Sequence, residues 1–248
     1  MKEWQALTTS PPRTPARLES AALVFAAFFP ALATWLYFVS LSGSRWTTPV
    51  FALCKLVQFS FPLLWILGLE RTRPRLFKQP GTPGLWIGLF SGIGLVAALL
   101  VLWRPLLARP ELAGVPAAIS GKLAEFGIAT PAGYSALAVF YSVLHSLLEE
   151  YYWRWFLFGR LRRRMRPGLA NALSSAAFTA HHVLVIGQFL GGYGPATWLA
   201  SLTIMGAGAL WAWSYHRSNS LYGAWLSHGL ADAGLMWVGY QIWQAASR

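Results

Sequence analysis

Seven stretches of about 20 mostly apolar residues dominate this chain: Ser20 to Leu41, Val50 to Leu69, Leu85 to Trp103, Tyr134 to Phe158, Leu169 to Leu190, Ala196 to Trp213 and Leu221 to Trp243. A helix rises 1.5 Å per residue, so each is long enough to cross roughly 30 Å of hydrocarbon. Lipid leaves no water for the backbone, and only helices and closed barrels satisfy every peptide group there. Long continuous apolar runs select the helix. The expected fold is therefore all-α, a polytopic transmembrane bundle of seven or eight spans, the eighth allowed by the proline-punctuated stretch from Arg104 to Gly133, which could also be an interfacial helix. Composition agrees: 56% of the 248 residues are apolar and 11% are charged, too little polar surface for a water-soluble globule of this size.

The net charge of +12 invites a nucleic-acid reading, but its placement excludes one. Only Lys55 and Arg154 fall inside apolar runs; the other basic residues sit in the connections, where membrane proteins carry their topology signal. One side of the expected bundle holds Lys2, Arg13, Arg17, Arg71, Arg73, Arg75, Lys78, Arg160, Arg162, Arg163, Arg164, Arg166 and Arg217, and the other only Arg45, Arg104, Arg109, Lys122 and Arg248. The positive-inside rule then places the amino terminus and an Arg160 to Arg166 loop in the cytoplasm. The first 19 residues read as a cytoplasmic flexible tail, proline-rich over Thr8 to Ala16. Residues 20–248 read as one transmembrane domain with its chemistry in 134–243. Leu23 to Ala33 could be the apolar h-region of a signal peptide, but the run continues to Leu41, a length that favours a retained anchor. Cys54, the one cysteine, cannot form an internal disulfide.

Ionisable groups inside a span are costly and mark function. Of the eight acidic residues, Glu3, Glu19, Glu70, Glu111 and Glu125 lie in tails or connections, leaving Glu149, Glu150 and Asp232 in spans with His145, His181, His182 and His228. Counted from the cytoplasmic helix ends, Glu149, His182, His228 and Asp232 fall about 10 to 20 Å deep, so three helices can bring them into one layer. Glu150 and Arg154 are four apart with the acid first, the favourable order for a helical ion pair. Glu149, about 100° around the helix from Glu150, is free to point elsewhere. His228 and Asp232 are again one turn apart, a spacing at which a carboxylate fixes an imidazole tautomer or shares a metal with it. His145 and His181 read as bundle histidines, with a supporting role open to His145, one turn from Glu149. Lys55 is expected to snorkel to the nearer interface, and Gly206 and Gly208 to permit close helix packing.

In order along successive spans, Glu149 to Arg154 matches EExxxR, Phe178 to His182 matches FxxxH and His228 to Asp232 matches HxxxN/D. Over Ala136 to Gly234 the chain resembles the CPBP family of intramembrane proteases, which contains the type II CAAX prenyl endopeptidases and the bacteriocin-processing and immunity proteins. The resemblance implies helices around a polar cavity open to the cytoplasm. It assigns water activation to Glu149 with His182, oxyanion stabilisation to His228 and Asp232, and a supporting role to Glu150, Arg154 and Phe178. It implies cleavage near the C-terminus of a membrane-tethered protein or peptide.

Such a site hydrolyses an amide without a Ser or Cys nucleophile. Asp232 departs from the simplest scheme, because an ionised carboxylate cannot donate to an oxyanion. It must carry a proton, orient His228 or bind a cation. With a cation, His182, His228 and Asp232 would make the three-ligand open site of a catalytic zinc. The metal-free glutamate reading stands slightly ahead. Three alternatives remain open: processing of hydrophobic sorting tails or peptide immunity within the same family, proton- or cation-coupled transport through the polar layer, and haem ligation by His182 and His228. The excess of Arg over Lys with abundant Ala, Gly and Pro suggests a bacterial inner membrane.

Overall fold

The structure, a computed structural model, describes residues 15–71 and 82–247, the side chains of 82 and 111 aside. Most of the expected tail, with Lys2 and Arg13, and the charges Arg73, Arg75, Lys78 and Arg248 lie outside the described residues. Eight helices occur among those described: α1 (Ala16–Ser40), α2 (Thr47–Glu70), α3 (Thr82–Leu107), α4 (Val115–Glu125), α5 (Pro131–Arg164), α6 (Pro167–Phe189), α7 (Pro195–Ser218) and α8 (Leu221–Ala246). Among the described residues the fold is all-helical, and the protein is an integral membrane protein. Helices α1, α2, α5 and α6, with α3 from Pro83, are long and apolar enough to cross a membrane.

Several boundaries differ from expectation for identifiable reasons. Helix α1 starts at Ala16, inside the expected tail, with Pro15 at its N-cap position, where a missing N–H costs nothing. Arg160 to Arg164, expected as a loop, continues α5: Arg160 pairs with Glu70 at 2.7 Å, Arg162 donates to Asn219, and Arg164 pairs with Glu19. These bonds gather the ends of α2, α5 and α7 and the start of α1 at one end of the bundle, called here the basic end. Within the Arg104 to Gly133 stretch α4 is 11 residues, about 16 Å by its rise, which is shorter than a full crossing needs. Helices α7 and α8, the last two expected spans, reach 24 and 26 residues but fall outside the apolar set. They pack on one another and against α3 and α5, and their buried positions include Ser201, Gly208, Ser214, Gly223, Ser227 and His228, residues that lower the mean hydropathy of each helix.

Helix α5 is the pillar, touching α1, α2, α6, α7 and α8. Its Tyr152, Trp153, Phe156 and Phe158 are almost wholly buried, and the Tyr152 hydroxyl donates to the Ala26 carbonyl of α1 at 2.9 Å. Helix α3 meets α8 through a glycine seam: a methyl at Gly88 would run into the Gly223 backbone, and one at Gly92 into Ser227 and Leu230. Of the two glycines expected to permit packing, Gly208 does so, against Phe178 and Arg154, whereas Gly206 faces open space.

Candidate active site

Helix α5 widens to π-type turns over Phe140–His145 and Tyr151–Phe158, a geometry that recurs at functional sites. Between them an ordinary helical segment, Ser146–Glu150, presents the two adjacent carboxylates. Glu149 and Glu150 are 2% and 0% exposed. An ionised carboxylate that deep must be paired, and each pairs differently.

Glu150 is committed to structure. Its Oε1 lies 3.1 Å from Arg154 Nη1 and accepts from His228 Nδ1 at 2.8 Å. Arg154 donates from Nη2 to the Gly208 carbonyl at 3.2 Å and stacks over Phe178 and Trp211 at 4.4 and 5.1 Å. A methyl at Gly208 would meet both Phe178 and the guanidinium, so glycine there lets the cation reach the carbonyl. The expected Glu150–Arg154 pair is thus present and extends across α8 to an imidazole.

Glu149 faces imidazoles. His181 Nε2 is 3.4 Å from Oε1, His228 Nε2 is 3.7 Å from Oε2, and His145 Nδ1 is 4.0 Å from Oε2. Buried as it is, Oε1 has no hydrogen-bond partner. Asp232 Oδ2 stands 3.7 Å from the same His228 Nε2, so that nitrogen looks onto two carboxylates. With Nδ1 facing a carboxylate that can only accept, His228 carries a proton on Nδ1. His182 is likewise fixed: its Nδ1 lies 2.9 Å from the Phe178 carbonyl, which accepts only, so in the neutral ring Nε2 keeps its lone pair. The rings are held by aromatic walls, His181 parallel to Trp153 at 5.5 Å and His228 on Trp211 at 3.9 Å. Phe178 packs on His182, His181 and His228.

Helices α5, α6 and α8 therefore bring the expected groups together: His228 Nε2 is 3.7 Å from both Glu149 and Asp232, and a His182 ring nitrogen lies within 4.8 Å of Glu149. His181, read from the sequence as a bundle histidine, stands nearest Glu149, and His145 lies beside the same carboxylate. The three-donor group gathered among the described residues is Glu149, His181 and His182, whose ligand atoms lie within 4.8 Å of one another, in place of the expected His182, His228 and Asp232. Two imidazoles and a carboxylate are a donor set that a catalytic zinc takes. One side chain of α2 also departs from expectation. Lys55 is on the stripe Thr47, Phe51, Lys55, Gln58, Pro62, whose Thr47, Gln58 and Pro62 are buried, and its ammonium lies over Phe51 and Phe59 at 6.0 and 5.5 Å. It points into the bundle instead of snorkelling out. The four-three spacing of that stripe was the available signal.

Compared with known families, residues 131–234 match the model described as Type II CAAX prenyl endopeptidase Rce1-like. No curated protein and no solved structure matches the chain. The matched stretch runs from the first residue of α5 into α8 and contains Glu149, Glu150, Arg154, Phe178, His181, His182, His228 and Asp232. The domain it marks is of the CAAX-protease family that the three motifs resemble.

Proposed function

We propose that this Rce1-like domain makes the protein an intramembrane endopeptidase that hydrolyses a peptide bond near the C-terminus of a membrane-anchored protein or peptide, with water activated by Glu149. One observation carries the reading: a fully buried carboxylate meets three imidazoles within 4.0 Å and keeps one oxygen without a hydrogen bond. Packing alone needs no such arrangement, and a general base needs an open acceptor.

In the proposed reaction Glu149 takes a proton from water as its oxygen attacks the scissile carbonyl. His228, protonated on Nε2, donates to the resulting oxyanion. Asp232, beside that nitrogen, orients the imidazole and favours its proton, which answers how a carboxylate serves where an amide would donate directly. Glu149 then passes its proton to the leaving amine as the C–N bond breaks. His181 and His182 hold Glu149 in place, and Glu150 with Arg154 fixes His228. A divalent ion would be held by Glu149, His181 and His182 and would supply a more acidic bound water. The metal-free reading stands first, since it asks nothing beyond the side chains. We assign the basic end to the cytoplasm and the protein to a bacterial inner membrane. Removal of a hydrophobic sorting tail is the form of the reaction kept as an alternative.

The test is release of a C-terminal tag from membrane-tethered peptides in proteoliposomes holding the full chain. Glu149→Gln is expected to lower release by about 10²- to 10⁴-fold, the usual contribution of a general base, at unchanged protein level. Release by the parent is expected to survive EDTA. Loss on chelation with recovery on added zinc would shift the reading to the metal form, and intact peptides with altered ion flux in Glu149→Gln would replace proteolysis with transport.

A further inference from the structure

The charge inside the bundle that the proposed chemistry leaves unused is Lys55. Its Nζ donates to Gln58 Oε1 at 3.3 Å, and Gln58, 2% exposed, leaves its amide Nε2 buried with no hydrogen-bond partner. An amide N–H without a partner in such a place is costly, and an ammonium inside a span is more so. Both costs fall if an anion with two oxygens sits between them. A carboxylate answers that description: one oxygen for the ammonium, one for the amide.

Position ties the pair to the catalytic layer. Helices α2 and α5 are locked at their basic ends by Arg160 and Glu70. Lys55 lies as far before Glu70 as His145 lies before Arg160, about 22 Å by helical rise, which places it roughly one turn beyond Glu149 on the side away from the basic end. Its aromatic neighbour Phe59 stands edge-on to the His145 ring at 6.1 Å, and His145 is 4.0 Å from Glu149.

We infer that Lys55 and Gln58 bind the free C-terminal carboxylate of the substrate, so that the chain end enters past Glu149 and is anchored beyond it. The inference rests on the protease reading and specifies its substrate: a peptide ending in a free acid, cut only a few residues from that end, because an extended chain covers about 3.3 to 3.6 Å per residue. An internal loop would lack the anchoring group.

Two tethered peptides of one sequence, one ending in a free acid and the other in a carboxamide, test this with the full chain in proteoliposomes. The parent is expected to prefer the acid by about 10- to 100-fold in kcat/KM, mostly through KM, the range of a charge-assisted hydrogen bond. Lys55→Met is expected to bring the acid-to-amide ratio close to one, and Lys55→Arg to restore part of it. A parent that cleaves acid and amide alike overturns the inference with no variant needed. So does a Lys55→Met protein that slows on both peptides while keeping their ratio, since Lys55 would then act on Glu149 or on folding. A parent that cleaves neither peptide removes the protease reading, and this inference falls with it.

Discussion

Arg154 illustrates how a single residue can be read twice. In the sequence it is the basic member of an i,i+4 pair; in the structure it is also the cation stacked on Phe178 and Trp211 and the donor to Gly208. Arg154→Met leaves Glu150 buried without its cation, and removing one partner of a buried pair costs about 3 to 5 kcal/mol. The variant is therefore expected to lose most folded protein, seen as a lower thermal unfolding midpoint in detergent. Adding Glu150→Gln should recover part of that loss, because the unpaired charge is gone. A double variant no more stable than Arg154→Met would show that the aromatic stacking, and not the ion pair, holds the site. His181 was not legible in this way. His181 and His182 differ by about 100° around α6, and only the packing of Trp153 against one ring turns that one toward Glu149.

At the scale of elements, the α3–α8 seam sets how closely the His228-bearing helix approaches the rest. Gly84, Gly88 and Gly92 recur every four residues, a spacing that marks close helix contact in membranes, yet their partner could not be named from sequence. Gly88→Ala would set a methyl against the Gly223 backbone, and overpacking of that kind costs about 1 to 3 kcal/mol. Gly206→Ala, into open space, should change stability by less than about 0.5 kcal/mol. Thermal unfolding of the two proteins checks the contrast; equal effects would remove the seam from the account. A second element-level bond closes the opposite end. Glu125 of α4 accepts from Lys122 Nζ at 2.8 Å and from the Gly43 N–H at 2.9 Å. Burial raises its pKa, but these donors outweigh that and hold it below the usual carboxylate range. A lowered folded pKa contributes stability that is complete above the unfolded value and is lost as pH falls through the folded one. The clasp between the α1–α2 turn and α4 is thus expected to stay closed down to a pH below the ordinary carboxylate range. Amide exchange at Gly43 across an acid series reads this, and opening already near neutrality would contradict it.

For the whole molecule, orientation decides which compartment supplies substrate. The basic end gathers Arg160, Arg162 and Arg164 with their partners, and the cytoplasmic placement proposed for it follows from the positive-inside rule. With Cys54 replaced by Ser, a cysteine at exposed Arg163 is expected to react with a membrane-impermeant thiol reagent only in inside-out vesicles, and one at exposed Arg45 only in right-side-out cells. The opposite pattern would invert the bundle and place the catalytic layer nearer the other face.

Burial in lipid settled much of this from sequence alone. Hydrocarbon admits few charges, so the apolar runs announce a helical membrane protein, and Glu149, Glu150, Arg154, His228 and Asp232 stand out as exceptions that must share a layer. The same solvent hides the rest. A helix facing lipid on one side and protein on the other is apolar on both, so hydrophobic periodicity does not report its rotation about its own axis. Which imidazole meets Glu149, whether Lys55 turns in or out, and which glycines touch all depend on that rotation. Packing of Trp153, Phe178, Trp211 and the α3–α8 seam fixes it, and only the tertiary structure contains that packing.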